Sequence, residues 1–269
     1  MKVVILDGYN LIYRARYSGP TWQTGPDSIT FRFFRSLRPI IEKLEPDKVY
    51  FVTEGYPKMR MEKDENYKGT RVREVDEEFS RQKKDIISIL SEHFPVEVIR
   101  HPHYECDDVV SHLVTNIHSN DETVVVSTDT DFLQLYNTAP NFKLYNPIKK
   151  QFTTSPDFDY VSWKALRGDG ADNITGFQGV GDKTALALIN DAQRLEDFLD
   201  SKPSYRDKFN HNKFMIKFHE PLDDLKFMEF SGVASNWSAI KESFEKMEFK
   251  SITKEKSWDK FKNTFLMLE

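Results

Sequence analysis

At 269 residues, with 39% hydrophobic and 30% charged side chains, the chain has the length of one large domain or one and a half small ones, with enough apolar side chains for a core. It is too short for a polymerase or helicase motor, and no run of about 18 apolar residues offers a membrane span. A single cysteine, Cys106, leaves no internal disulfide and no zinc motif, while a net charge of −5 argues at face value against a nucleic-acid partner.

The chain opens MKVVILDGYN, where Asp7 cuts the apolar stretch too soon for a signal peptide; the expectation is a cytoplasmic protein. Val3-Val4-Ile5-Leu6 is a continuous apolar run of the kind that is buried on both faces of a sheet. Runs of the same kind recur at 49–52, 96–99 and 123–126, with helical spacing between them at about 28–44, 74–93 and 105–118. This alternation predicts an α/β fold: a mainly parallel sheet flanked by helices, with its ligand site at the carboxyl ends of the strands. Beyond about Asn146 amphipathic helical segments take over. The expected organisation is a first domain over 1–150 and a helical module over 151–269, the latter with Trp163, Leu166, Ala185, Leu186, Leu188, Ile189, Leu195, Phe198 and Leu199 as its core.

Acidic residues gather at the predicted strand ends. Asp7 closes the first run, Glu54 follows the second, Glu105, Asp107 and Asp108 open the helix after the third, and Asp129 and Asp131 follow the fourth. Taken singly, each is an ordinary helix cap or dipole partner. Together they would repel one another unless neutralised, and carboxylates without histidine or cysteine suit Mg²⁺ or Mn²⁺. Asp169 and Asp172 in GDGADN are spaced to face one ion, or simply to form a turn.

Gly176, Gly179 and Gly181 lead into an amphipathic helix with Lys183 at its start. The segment is either a phosphate-accepting helix N-terminus or a plain corner that needs glycine. Earlier, Lys58, Arg60, Lys63, Lys68, Arg71 and Arg73 crowd the stretch 56–73 together with Tyr67. Phosphate contacts with an aromatic for base stacking would account for that crowding, and so would a solvated loop with its own ion pairs.

The stretches ILDGYNLIYRARYSGP, MRMEKDENYKGTR, ECDDVVSHL, VVVSTDTDFLQL and RGDGADNITGFQGVGDKTALALI occur in this order over the first two thirds of the chain. In them the chain resembles the 5′ nuclease family: the 5′→3′ exonuclease domain of bacterial DNA polymerase I, the bacteriophage 5′ exonucleases and the flap endonucleases. The resemblance implies a PIN-like sheet domain and a helix–three-turn–helix element at about 163–190. It places Asp7, Glu105, Asp107, Asp108, Asp129, Asp131, Asp169 and Asp172 on the family's metal-binding carboxylates. Glu54 stands where the family usually has Asp.

By the same resemblance Tyr67, Lys68 and Arg71 form a Tyr-Lys-x-x-Arg element that draws the scissile phosphate onto the metals, with Arg60 as the preceding arginine. The segment at about 56–84 becomes an arch or clamp for a 5′ single strand. Gly176, Gly179, Val180, Gly181, Lys183 and Thr184 grip duplex backbone, with a K⁺ ion held by main-chain carbonyls. The implied enzyme is a monomeric, structure-specific 5′→3′ exonuclease and flap endonuclease using two Mg²⁺ (or Mn²⁺) ions about 3.5–4 Å apart. It would act on DNA with a 5′ flap, nick or free 5′ end, and on RNA primers in RNA–DNA hybrids, without a membrane and beside replication proteins in a bacterial or phage-infected cell. A catalytically weak DNA-junction binder and a PIN-like ribonuclease are the rival readings; the full acid set counts against the first and the glycine turn against the second. Setting aside the nine proposed metal-site acids leaves a net basic remainder, so the acidic total does not exclude DNA.

Overall fold

The computed structural model describes residues 1–19, 25–71, 76–221 and 224–268. In chain order its first elements are β1 (Lys2–Asp7), α1 (Gly8–Tyr17), α2 (Ser28–Leu44), β2 (Lys48–Val52), α3 (Lys58–Lys63), α4 (Glu77–His93), β3 (Glu97–Arg100), α5 (Cys106–His112) and β4 (Glu122–Val126). After α5 a π-type turn spans Leu113–Ile117. The four predicted strands, at 3–6, 49–52, 96–99 and 123–126, all form. Val3, Val4, Ile5, Leu6, Phe51, Val52 and Val124 through Val126 are essentially inaccessible, as strands covered on both faces require.

β5 (Phe142–Asn146) and β6 (Gln151–Phe152) follow. Strand order is β6-β5-β4-β1-β2-β3 with β9 (Glu229–Phe230) on the far edge. β1, β2, β3, β4 and β5 run parallel, and the edge strands β6 and β9 pair antiparallel. One face is covered by α2 and α4 through Phe33, Phe34, Leu37, Ile41, Ile86 and Leu90, the other by α5 and the π-type turn that follows it, through Val109, Val110 and Leu113.

The second half contains α6 (Tyr160–Arg167), the short hairpin strands β7 (Gly168–Asp169) and β8 (Ile174–Thr175), α7 (Asp182–Ile189), α8 (Ala192–Asp200) and α9 (Tyr205–Ile216). Leu166, Ala185, Leu188 and Leu199 are buried in its core, with Trp163, Ile189, Leu195 and Phe198 packed partly buried against it; Leu186 lies outside that cluster.

The boundary expected near 150 does not hold for the rest of the chain. β9 rejoins the sheet, and α10 (Trp237–Lys246), α11 (Lys250–Thr253) and α12 (Glu255–Leu266) return to the first core. There Phe244, Phe261 and Phe265 pack with Phe34 and Phe94. Within 151–269 the helical body therefore runs only from α6 to α9. Apolar spacing announces a helix but does not say which core it will cover.

The segment expected as an arch is folded along much of its described length. α3 and a series of turns carry it to Thr70, and Tyr67 is buried in the core of the α6–α9 body. Arg73, with 72–75, lies outside the described residues.

Candidate active site

The carboxyl ends of β1, β2 and β4 meet the start of α5. Asp7 ends β1 and caps α1, accepting from Asn10 N at 3.2 Å and from Ser127 Oγ at 2.6 Å. Gly8 is needed beside it, because a Cβ there would lie 2.4 Å from the Val52 carbonyl oxygen. Asn10 Oδ1 accepts from Thr128 N at 3.1 Å, tying α1 to the loop after β4. Past β2, Glu54 accepts from Cys106 N at 2.8 Å. Past β4, Asp129 accepts from Asp131 N at 2.8 Å.

Asp7, Glu54, Asp107 and Asp129 form no ion pair among the described residues, and burial holds all four above the ordinary carboxylate value. Burial, then the charge of Glu105, pushes Glu54 up to about 7. Burial, then Asp131, pushes Asp129 up to about 6. Burial raises Asp7, and burial followed by Asp129, Asp7 and Glu54 holds Asp107 well above the usual carboxylate range. The Cys106 thiol, 3.7 Å from Asp7, is also pushed up by burial.

The remaining acids are held by cations. Glu105 pairs with Lys68 and accepts from Tyr67 Oη at 3.0 Å; Asp172 accepts from Arg71 Nη2 at 2.5 Å and from Tyr67 Oη at 3.1 Å. Asp131 pairs with Lys164 and accepts from Tyr160 Oη at 3.0 Å, and Lys164 reaches Asp169 at 2.6 Å. Burial by itself would raise Asp169, but the Lys164 ammonium holds it below the ordinary value. Lys68 occupies a left-handed backbone position at φ 56°, a strained conformation for a side-chain-bearing residue.

A cavity of about 10 Å³ is walled by Glu105, Asp107, Asp131, Asp169 and Asp172, which brings acids of the sheet and of the α6–α9 body to one place. Among the described residues no three of them form a finished coordination cage. Lysine and arginine instead stand on five of the nine proposed ligands. The donor set is all oxygen, the unpaired acids repel one another, and positive groups already occupy their neighbours. Those three observations fit a hard divalent cation.

Two expected roles are revised. Arg60, expected to act on phosphate, is 4% exposed. Its guanidinium bonds Asp108 at 2.6 and 2.9 Å, Glu105 at 2.8 Å, and the carbonyls of Met215 and Lys217 at 2.9 Å each. All five N–H donors are spent. Asp108, expected on a metal, is 1% exposed and also accepts from Glu105 N at 3.3 Å and His219 N at 2.7 Å. Neither oxygen is left open.

Lys164 and Tyr160 were missed by the sequence reading. Their signal was a polar pair four residues apart on the buried stripe of α6, just before Asp169.

The glycine turn connects β8 to α7. Gly176 is required because a Cβ there would lie 1.9 Å from the Arg167 carbonyl oxygen, and Gly179 takes φ 76°. Gly181 precedes the first turn of α7, where Lys183 and Thr184 are exposed. The Val180 side chain is buried in the module core and its N–H donates to the Phe177 carbonyl at 3.0 Å.

Residues 2–162 match the model of the N-terminal, resolvase-like domain of 5′-3′ exonucleases, and residues 156–251 match the C-terminal SAM fold of the same enzymes. A 5′-3′ exonuclease of Mycoplasmopsis pulmonis is 30% identical over 76% of this chain and 71% of its own length. The DNA polymerase I of Caldicellulosiruptor bescii is 27% identical over 94% of this chain, which spans 33% of that protein. Among solved structures, the bacteriophage T5 D15 flap endonuclease in complex with DNA and metal ions is similar at a TM-score of 0.60 and 20% identity, over 100% of this chain and 99% of the other. At that identity the likeness is one of fold.

Proposed function

Because the chain belongs to the 5′-3′ exonuclease family, we propose that it hydrolyses phosphodiesters in DNA at 5′ ends, nicks and 5′ flaps, and in the RNA strand of RNA–DNA hybrids. The observation that carries this reading is the convergence of oxygen-only acids from the strand ends with Asp169 and Asp172 of the helical body, bordered by Lys68 and Arg71. Asp7, Glu54, Glu105, Asp107, Asp129, Asp131, Asp169 and Asp172 would hold two Mg²⁺ or Mn²⁺ ions. Bound there, such ions supply Lewis-acid polarisation of the phosphate and activation of water.

The chain's own residues do the rest. Lys68 and Arg71 now neutralise Glu105 and Asp172. At the edge of the acid cluster, both would face a bound phosphate and stabilise charge that develops on it. The Tyr67 hydroxyl lies between Glu105 and Asp172, within 3.0 and 3.1 Å, with one proton to share between them. Lys183, Thr184 and the backbone of Gly176, Gly179 and Gly181 would bind duplex phosphates, with K⁺ as the ion for that turn; Val180, whose N–H is spent on Phe177, would hold the turn in place. Phosphate contacts of this kind fix register without reading sequence, which suits recognition of a junction by shape.

The test is incubation with 5′-labelled flap, nicked and RNA–DNA hybrid substrates with and without Mg²⁺. Cleavage in Mg²⁺ that is lost in EDTA and in Asp129→Asn is expected. Cleavage by Asp129→Asn at the parent rate defeats the metal assignment, and cleavage of free single-stranded RNA alone favours a ribonuclease.

A further inference from the structure

Where α9 ends, the chain from 215 to 220 runs along the acid cluster, and Met215, Ile216 and Phe218 wall the same small cavity as the acids. It is anchored on both sides. Arg60 holds the carbonyls of Met215 and Lys217, and Asp108, through its bond to His219 N, holds the next turn of chain. Gln134 donates to the Ile216 carbonyl at 3.4 Å and accepts from Phe218 N at 3.1 Å, while the Phe218 ring packs 5.6 Å from Phe132. Glu220 accepts from Ser111 Oγ at 3.2 Å and Thr115 Oγ1 at 2.8 Å, and from the Asn116 amide. Ser111 lies on α5, the helix whose first turn carries Asp107, and Thr115 and Asn116 lie on the π-type turn that continues it.

We propose that the segment 215–220 is a strap that sets the acid-bearing end of α5 against the helical body, and that Asp108 and Glu220 are positioning residues for hydrolysis which touch neither metal nor substrate. Burying the Arg60–Asp108 pair costs desolvation that its Coulomb attraction does not reliably return, so its stability value alone is a weak reason for it. It does join α3, α5 and the exit of α9 in one rigid unit. A duplex held on the α6–α9 body therefore bears directly on the position of Asp107.

The kinetic arm of the test rests on the nuclease reading; the metal arm does not. Mn²⁺ titration followed by electron paramagnetic resonance reads affinity without turnover. Asp108→Asn should bind Mn²⁺ within about threefold of the parent, whereas Asp107→Asn should lose about tenfold or more. Equal losses overturn the assignment of Asp108. If Asp108→Asn does not fold, Asp108→Glu, which keeps a carboxylate for Arg60, is read in the same titration; Mn²⁺ affinity within about threefold of the parent is expected, and a loss as large as that of Asp107→Asn overturns the assignment. Glu220→Ala should slow single-turnover cleavage about tenfold by misplacing α5, with duplex Kd within about twofold. Glu220→Gln, which keeps an acceptor for Ser111 and Thr115, should recover most of that rate. An unchanged rate in Glu220→Ala, or a duplex Kd that worsens in step with the rate, overturns the strap. Should the parent cleave nothing, the nuclease reading falls and the Mn²⁺ titration alone decides the role of Asp108.

Discussion

Lys164 places its ammonium 2.6 Å from Asp169, across the boundary between α6 and the hairpin that follows it, while the same nitrogen pairs with Asp131 after the fourth strand. One buried cation thus joins acids from the two bodies of the protein.

Removing that cation leaves two partly buried carboxylates facing each other. Breaking a buried pair from one side costs on the order of 3 kcal/mol. Lys164→Met should therefore unfold several degrees below the parent in EDTA, and Mg²⁺ should narrow the gap by taking the place of the ammonium. Thermal unfolding with and without Mg²⁺ measures both. A gap that Mg²⁺ leaves unchanged would separate Lys164 from the metal site.

The unpaired acids predict a pH dependence. Glu54 and Asp129 are pushed up to about 7 and about 6, so folding favours their neutral forms. Their contribution to stability is fully present below the ordinary carboxylate range and is lost as pH rises through 6 to 7. The metal-free protein should lose stability from these groups between pH 5 and pH 8. Divalent cations need the ionised acids, so the rise in Tm on adding Mg²⁺ should be larger at pH 8 than at pH 5.5. Calorimetry at the two values decides it; an equal rise contradicts the coupling.

Lys183 is exposed in the first turn of α7 beside the glycine turn. If it contacts a phosphate, Lys183→Ala should weaken duplex binding and reduce the slope of log K against log salt by about one. Fluorescence anisotropy across a salt series measures this, and an unaltered slope makes the turn purely structural.

The return of the chain end to the first core is also testable. Phe265 is fully buried, with its ring 5.2 Å from Phe94. Phe265→Ala should cost about 3–5 kcal/mol. Urea unfolding followed by far-ultraviolet circular dichroism should show the sheet losing stability with it. A sheet that unfolds at the parent midpoint would mean that α12 is peripheral.

The four buried strands and α2 were legible because their signals are local. A strand covered on both faces must be apolar at successive positions, and α2 carries its core residues at helical spacing from Ile29 to Leu44. Asp7, Glu54, Asp107 and Asp129 were legible for a related reason: in a parallel sheet the carboxyl ends lie on one edge, so acids that follow separate strands must meet. β5 was missed because its exposed Lys143 interrupts the run, and α1 because it starts at the glycine directly after β1.

By itself, then, the sequence determined the parallel sheet, the edge on which its acids gather and the family to which the chain belongs, since each depends on short runs and on their order. Only the tertiary structure decided which cation meets which acid and which core each late helix covers. Arg60 could have faced phosphate and instead spends every donor on Asp108, Glu105 and the strap. α12 could have extended the helical body and instead completes the sheet domain. Both outcomes turn on contacts between residues far apart in the chain, where burial and the need to satisfy every buried charge, rather than local spacing, select the partner.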